Sequence, residues 1–316
     1  VPSGVGLDEE TESSTVERST AEEKSQQDAP SPQLPVTTDR SEAVPAEPTP
    51  TAPFLGSVVI TEADVDIEEV FGFLDRNALF AGQWQLRKTQ QQSREEYDAM
   101  LKEKAEPVLQ QWMDRCLQES LLTPRAAYGY FPVGRDGNAL RVFDASGETE
   151  LGRFDLPRQR SGNRYCIADF FQDMTADGRP ADVLPMQAVT MGDKASEVAQ
   201  ELFKGDQYSD YLYFHGLAVQ MAEAMAEWVH ARIRRELGFA DPDGMPLRDV
   251  LAQRYRGSRY SFGYPACPNV ADSRQQLSWL GADRIGLSMD ASDQLSPEQS
   301  TTALVALHSK ARYFSA

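Results

Sequence analysis

RYSFGYPACP, residues 259–268, opens on an arginine whose planar guanidinium can grip a carboxylate through two parallel hydrogen bonds. Gly263 has no Cβ, so a ligand or a second backbone can come close to it. Pro265 and Pro268 bracket Ala266 and Cys267. Their fixed φ and missing N–H keep the stretch extended and out of any helix interior. Tyr264 adds a flat apolar face with a hydroxyl tip. A stiff backbone, one anion fork and one aromatic face suit a small zwitterionic ligand that carries an aromatic base. The same residue types equally suit a proline-stiffened surface turn with a solvated arginine.

Upstream of this stretch, residues 209–237 carry Leu212, Leu217, Met221, Met225, Trp228, Val229, Ile233 and Leu237 at helical spacing. Arg232, Arg234 and Arg235 crowd the C-terminal end, where the helix dipole favours cations. On this helix Glu223 sits between Ala222 and Ala224 and faces either a site or solvent. His215 and His230 are too far apart for an HxxxH pair and read as structural or solvated. Asp193 can cap a preceding helix that Gly205 closes.

Between 126 and 189 the period changes to short runs rich in β-branched and aromatic residues: AAYGYFPV, ALRVFDA, ELGRFDL, RYCIADFF and VLPMQAVT. Turn chemistry such as Arg135-Asp136-Gly137-Asn138 separates them and implies antiparallel pairing. No glycine-rich strand-to-helix fingerprint of the Rossmann kind is present. The fold class is α+β. Nearer the N-terminus, Asp64 or Asp66 suits the cap of a helix through Ile67, Val70, Phe71 and Leu74. In FLDRNALFAGQW (73–84) a single acid, Asp75, stands among large apolar rings, as an exposed helix residue or as a polar anchor in a pocket. Residues 94–122 read as an amphipathic helix, which Pro107 kinks or breaks just before it, with Cys116 on the core stripe. After the loop, 272–290 reads as a short helix ending near Gly281 and then a strand; 301–316 gives another strand and the closing Tyr313 and Phe314. Two terminal aromatics are more often core closure than ligand contacts.

The chain has 316 residues and a net charge of −18, which argues against nucleic acid or an anionic membrane as partner. Three scattered cysteines and no CxxC pair give neither a disulfide framework nor a structural zinc site, and favour a reducing, cytoplasmic setting. No apolar run is long enough to span a bilayer, and no secretory signal opens the chain. The first residue is Val, as in a processed product or a piece of a longer polypeptide. Residues 1–53 hold eight prolines, no aromatic, and eleven acids against three bases. That composition reads as a disordered acidic linker, with one globular domain over 54–316.

The helix AEAMAEWVHARIRRELGF (222–239) followed by YRGSRYSFGYPACP (255–268) closely resembles the C-terminal reactivation domain of cobalamin-dependent methionine synthase. The resemblance extends to FLDRNALFAGQW, GYFPV (129–133), RYCIADFF (164–171), YLYFHG (211–216) and KARYF (310–314). It implies helices packed around a bent antiparallel sheet, and a methyltransferase component of methionine biosynthesis that binds S-adenosylmethionine. In that family the domain docks over cobalamin held by a neighbouring domain. A flavodoxin-type donor supplies an electron, and S-adenosylmethionine supplies the methyl group that restores inactive cob(II)alamin. By the same resemblance Arg259 takes the ligand's carboxylate, Asp75 its amino group, and Glu223 lies near the sulfonium. Tyr313 contacts the ligand with Phe314 beside it, and backbone around Gly263, Tyr264 and Ala266 frames the adenine and ribose. No catalytic acid, base or metal ligand is implied on this chain, because the chemistry is positioning. The cobalamin fingerprint Asp-x-His-x-x-Gly is absent, so cobalamin belongs to a partner domain. The family's acid six residues before the motif arginine is Gln253 here, which leaves that contact in doubt. The alternative is a non-catalytic S-adenosylmethionine-binding docking protein that regulates a corrinoid protein.

Overall fold

A strand that alternates like AAYGYFPV has side chains for two faces, and both are covered in the computed structural model. Ala126, Tyr128 and Tyr130 join one buried cluster, while Ala127, Phe131 and Val133 join another. The structure describes residues 37–316. The expected disorder of residues 1–36 lies outside the described residues.

In chain order the strands are β1 (Gly56–Ile60), β2 (Arg125–Asp136), β3 (Ala139–Phe143), β4 (Glu150–Asp155), β5 (Asp182–Thr190), β6 (Ser258–Tyr260), β7 (Ser288–Met289), β8 (Leu295–Ser296) and β9 (Ser300–Ala306). The main sheet runs β4-β3-β2-β5-β9-β6, antiparallel at each pairing. β1 shares one edge of β2 with β3, pairing Ile60 with Ala126 and Gly56 with Tyr130. The helices are α1 (Ile67–Phe71), α2 (Arg94–Met100), α3 (Glu106–Glu119), α4 (Asp193–Lys204), α5 (Tyr208–Glu236), α6 (Leu247–Leu251) and α7 (Asp272–Leu280). Helices α3, α4 and α5 belong to the cluster on one face of the sheet, and α7 to the cluster on the other. The α+β class and antiparallel sheet are as the sequence implies.

α5 is 29 residues long, about 44 Å at ~1.5 Å per residue, and it lies along the sheet. Tyr128 and Tyr130 reach from β2 to its last turn, each donating its hydroxyl to Glu236 (2.9 and 2.8 Å). Burial and that carboxylate push the Tyr128 hydroxyl up to about 12. Gly216, in the N-terminal third of α5, is where the 73–84 segment settles: a Cβ there would stand 2.8 Å from Gln83. Trp84 locks the contact by donating its indole N–H to the Tyr213 carbonyl (3.1 Å).

Local expectations are met and missed for identifiable reasons. Asp66 caps α1, accepting from the Glu68 amide at 2.9 Å. The amphipathic stretch from Arg94 stays helical but widens into a π-helical turn, Leu101–Ala105, just before Pro107, and continues as α3. Cys116 is buried in the core, and desolvation pushes its thiol up to about 12. Asp193 is the first residue of α4 rather than its cap, which is Gly192; Gly205 does close the helix. The strand after Gly281 shrinks to the two-residue β7.

Two readings are corrected. RYCIADFF is not a strand but a loop containing the 3-10 turn Ile167–Phe170. Asp169 is fully buried there and draws in the Arg158 and Arg135 guanidinium groups and the amides of Ser41 and Cys166. The Cys166 amide goes to that carboxylate, and the Asp169 and Phe171 amides close local turns onto Cys166 and Ala168, so these amides are not available to a ladder. Secondly, residues 37–53, assigned by composition to the linker, pack onto the domain. Val44 is fully buried, Arg40 donates to the carbonyls of Asp169 and Phe171, and Glu47 pairs with Arg256 and Ser309. Thr49 donates to the Ala181 carbonyl at 2.9 Å. Among the described residues the packed part of the chain therefore includes this segment rather than beginning at Phe54.

Candidate functional site

Gly216 and Trp84 fix the 73–84 segment against α5, so Asp75 arrives beside Glu223. Asp75 accepts the amides of Asn77 and Ala78 (2.9 and 3.0 Å), which fixes its carboxylate at the mouth of the following turn. β6 pairs Arg259 with Val305 on β9, which brings the arginine to the same place. These three residues line one cavity of about 270 Å³ between the 73–78 loop, α5, α6 and β6. Gln253 lies on its wall as well. Larger cavities of about 590 and 640 Å³ lie beside Arg40 and Arg158 and between α4 and β8, without such a convergence of predicted groups.

The cavity also has an inner wall that sequence reasoning missed. Glu227, only 6% exposed, accepts from Arg259 Nη2 (3.2 Å), Tyr255 Oη (3.0 Å) and Arg234 Nη1 (3.2 Å). Arg234 is fully buried, forks onto Asp241, and lies 3.7 Å over the Tyr255 ring. Burial, then the Glu227 charge, raises the Tyr255 hydroxyl well above its ordinary value. His230, one turn on, is fully buried with neither ring nitrogen hydrogen-bonded among the described residues. Burial, reinforced by the Arg234 and Arg259 charges, drives its pKa well below the usual imidazole value, so it is neutral. The signal for Glu227 was present in AEAMAE. Glutamates at i and i+4 share a helix face, and Arg234 follows seven residues later on that same face.

The other predicted residues lie elsewhere. Gly263 has φ of 95°, a value that favours glycine, and its amide donates to the Cys267 carbonyl at 2.9 Å. The Cys267 amide returns to the Tyr264 carbonyl (2.9 Å), so the loop closes on itself as a tight turn. Tyr264 is 58% exposed and Ala266 is buried; neither they nor Gly263 line the Arg259 cavity. Tyr313 is half-exposed. Phe314 is buried against Tyr165, Tyr260 and Phe170, which is core closure.

What the cavity offers chemically is three carboxylates, one arginine held by a single nitrogen, and an apolar edge from Phe73, Ala78 and Val250. Its charge balance is negative, and it suits a small cation that also bears a carboxylate.

A family model described as the activation domain of vitamin B12-dependent methionine synthase matches residues 66–316. The chain belongs to that activation-domain family. Methionine synthase of Mycobacterium tuberculosis is 38% identical over 287 residues, covering 87% of this chain and 24% of that protein. The methionine synthase of Mycobacterium leprae is 39% identical over 278 residues, covering 84% of this chain and 23% of that protein. The chain thus spans about a quarter of the length of these relatives. Among solved structures, the MetH reactivation domain bound to AdoHcy superposes with a TM-score of 0.74 at 22% identity, covering 85% of this chain and 83% of that one. The activation-domain fold is therefore shared well beyond close sequence similarity. Among the described residues no helix is long and apolar enough to cross a membrane.

Proposed function

We propose that this activation domain binds S-adenosylmethionine in the Asp75–Glu223–Arg259 cavity and presents its methyl group to a cobalamin held by another domain. The observation that carries the reading is Arg259. One of its nitrogens is held by Glu227 and the others have no partner among the described residues, on the wall of a cavity that also collects Asp75 and Glu223. That leaves a fork for the ligand's carboxylate, Asp75 for its ammonium and Glu223 for the sulfonium. At about 270 Å³ the cavity is just under the usual ~300–1,000 Å³ of small-molecule sites, which fits the amino-acid half of the ligand. The nucleoside would then extend toward the Gly263–Ala266 turn, with Tyr264 and Tyr313 as exposed aromatic faces and Phe314 anchoring the tail that carries Tyr313. The methionine synthase relatives and the AdoHcy bound to the structurally similar MetH reactivation domain support this reading.

The partner cobalamin supplies the metal centre that accepts the methyl group. The residues of this chain orient the donor and hold its charges; the transfer asks for no acid or base from them. A flavodoxin-type protein would supply the electron, and the setting would be the reducing cytoplasm, with which three free, buried cysteines agree. Titration calorimetry tests the site: wild type should bind S-adenosylmethionine, and Arg259→Ala should bind it about 10- to 100-fold more weakly. Wild-type affinity in that variant would reject the carboxylate fork. Single-turnover methylation of a reduced corrinoid domain supplied in trans separates methyl donation from mere docking.

A further inference from the structure

We propose that Glu227 is a positioning residue: it fixes the Arg259 fork in the orientation that receives the ligand's carboxylate. The proposal rests on the reading of the site given above and adds a residue to it. Arg259 leaves a three-residue strand on a long, flexible side chain, and nothing else among the described residues holds its guanidinium. Glu227 Oε2 takes Arg259 Nη2 at 3.2 Å, so one edge of the guanidinium is used and the remaining N–H groups are spare. Glu227 is itself immobilised from behind. Its Oε2 also accepts the Tyr255 hydroxyl, and its Oε1 accepts Arg234 Nη1. Arg234 cannot yield, because Asp241 grips it and the Tyr255 ring covers it. The chain Asp241–Arg234–Glu227–Arg259 therefore runs from the loop after α5 to the cavity wall, alternating in charge at each step. Each member but the last has its charge paired on both sides or is an anchored end. Arg259 is the member with donors left over.

Replacing Glu227 by glutamine puts an amide N–H₂ where a donor's partner should be. The amide cannot accept from Arg259, Tyr255 and Arg234 together, and the fork loses its fixed edge. The test compares S-adenosylmethionine with its decarboxylated analogue by calorimetry on wild type, Glu227→Gln, Arg259→Ala and the double variant. Glu227→Gln is expected to weaken S-adenosylmethionine about tenfold and to leave the decarboxylated analogue within about twofold, with the double variant no worse than Arg259→Ala alone. Equal losses on both ligands would mark Glu227 as merely structural and overturn the proposal, as would additive losses in the double variant. Tighter S-adenosylmethionine binding by Glu227→Gln would make Glu227 a competitor for the fork and overturn it too. If Glu227→Gln does not fold, Tyr255→Phe carries the same comparison. It removes one donor and no charge, and should show a smaller loss confined to the carboxylate-bearing ligand; equal loss on both again overturns the proposal. A wild type that binds neither ligand removes the site itself, an outcome distinct from a wild type that binds while Glu227→Gln behaves identically.

Discussion

Two buried carboxylates organise opposite faces of this domain, and they do different work. Asp169 is fully buried and receives two nitrogens of Arg158, one of Arg135 and the amides of Ser41 and Cys166. Every guanidinium nitrogen of its arginines is engaged: Arg158 also reaches Asn138 and the Arg164 carbonyl, and Arg135 reaches Asp173 and the Thr38 carbonyl. Glu227 has almost the same surroundings, with Arg234, Arg259 and Tyr255, yet there the outermost arginine keeps unpartnered nitrogens beside a cavity. Burial of charge is common to both. Surplus donors on a cavity wall distinguish the candidate site from a rivet.

That contrast can be broken most severely at Asp169. Asp169→Ala strands two buried guanidinium groups and is expected to cost about 3–5 kcal/mol in urea unfolding, while leaving ligand affinity unchanged in protein that remains folded. A large affinity loss with little destabilisation would reverse the roles of the two clusters. Asp75→Asn should do the opposite: a loss of about 1–2 kcal/mol in binding of a cationic ligand, with unfolding stability nearly unchanged because Asp75 keeps an oxygen for the Asn77 and Ala78 amides. An unchanged dissociation constant would remove Asp75 from the site.

The third test uses pH. His230 has its folded pKa lowered by burial, whereas the unfolded chain protonates near the ordinary ~6.5, so below that value the unfolded state binds the extra proton. Stability is therefore full above about pH 6.5 and falls as the pH drops below it, by at most about 1.4 kcal/mol per unit for this one group. His230→Phe, which keeps a ring against Tyr255, should flatten the slope between pH 6.5 and 5. A slope equal to wild type would show His230 already protonated beside Glu227. The smallest effect is expected in the docked 37–53 segment. Thr49→Ala removes one exposed hydrogen bond to Ala181 and should cost about 0.5–1 kcal/mol at most.

Sequence reasoning reached the sheet and α5 because each carries a periodic signal, whereas Arg259, Asp75 and Glu223 were grouped by the family resemblance, and the fold lines one cavity with all three. The two-faced alternation of residues 126–133 and the apolar stripe of α5 are repeated many times over, so single exceptions do not hide them. Glu227 was hidden because a helix glutamate is ordinarily solvated; only the rings and guanidinium groups that the fold brings over it reveal its burial. RYCIADFF misled because its apolar residues are buried as in a strand, while the one acid among them dictates the backbone. Residues 37–53 were missed because composition was averaged over 53 positions, whereas docking depends on single anchors such as Val44, Arg40 and Glu47.

The docking of residues 37–53 also shortens the slack in this stretch of chain. Those seventeen residues, fully extended, would span about 55–60 Å. Pinned along the surface, they add nothing to the reach of a leash. Tension applied along this segment would load Arg40 and Val44 before it loads the sheet.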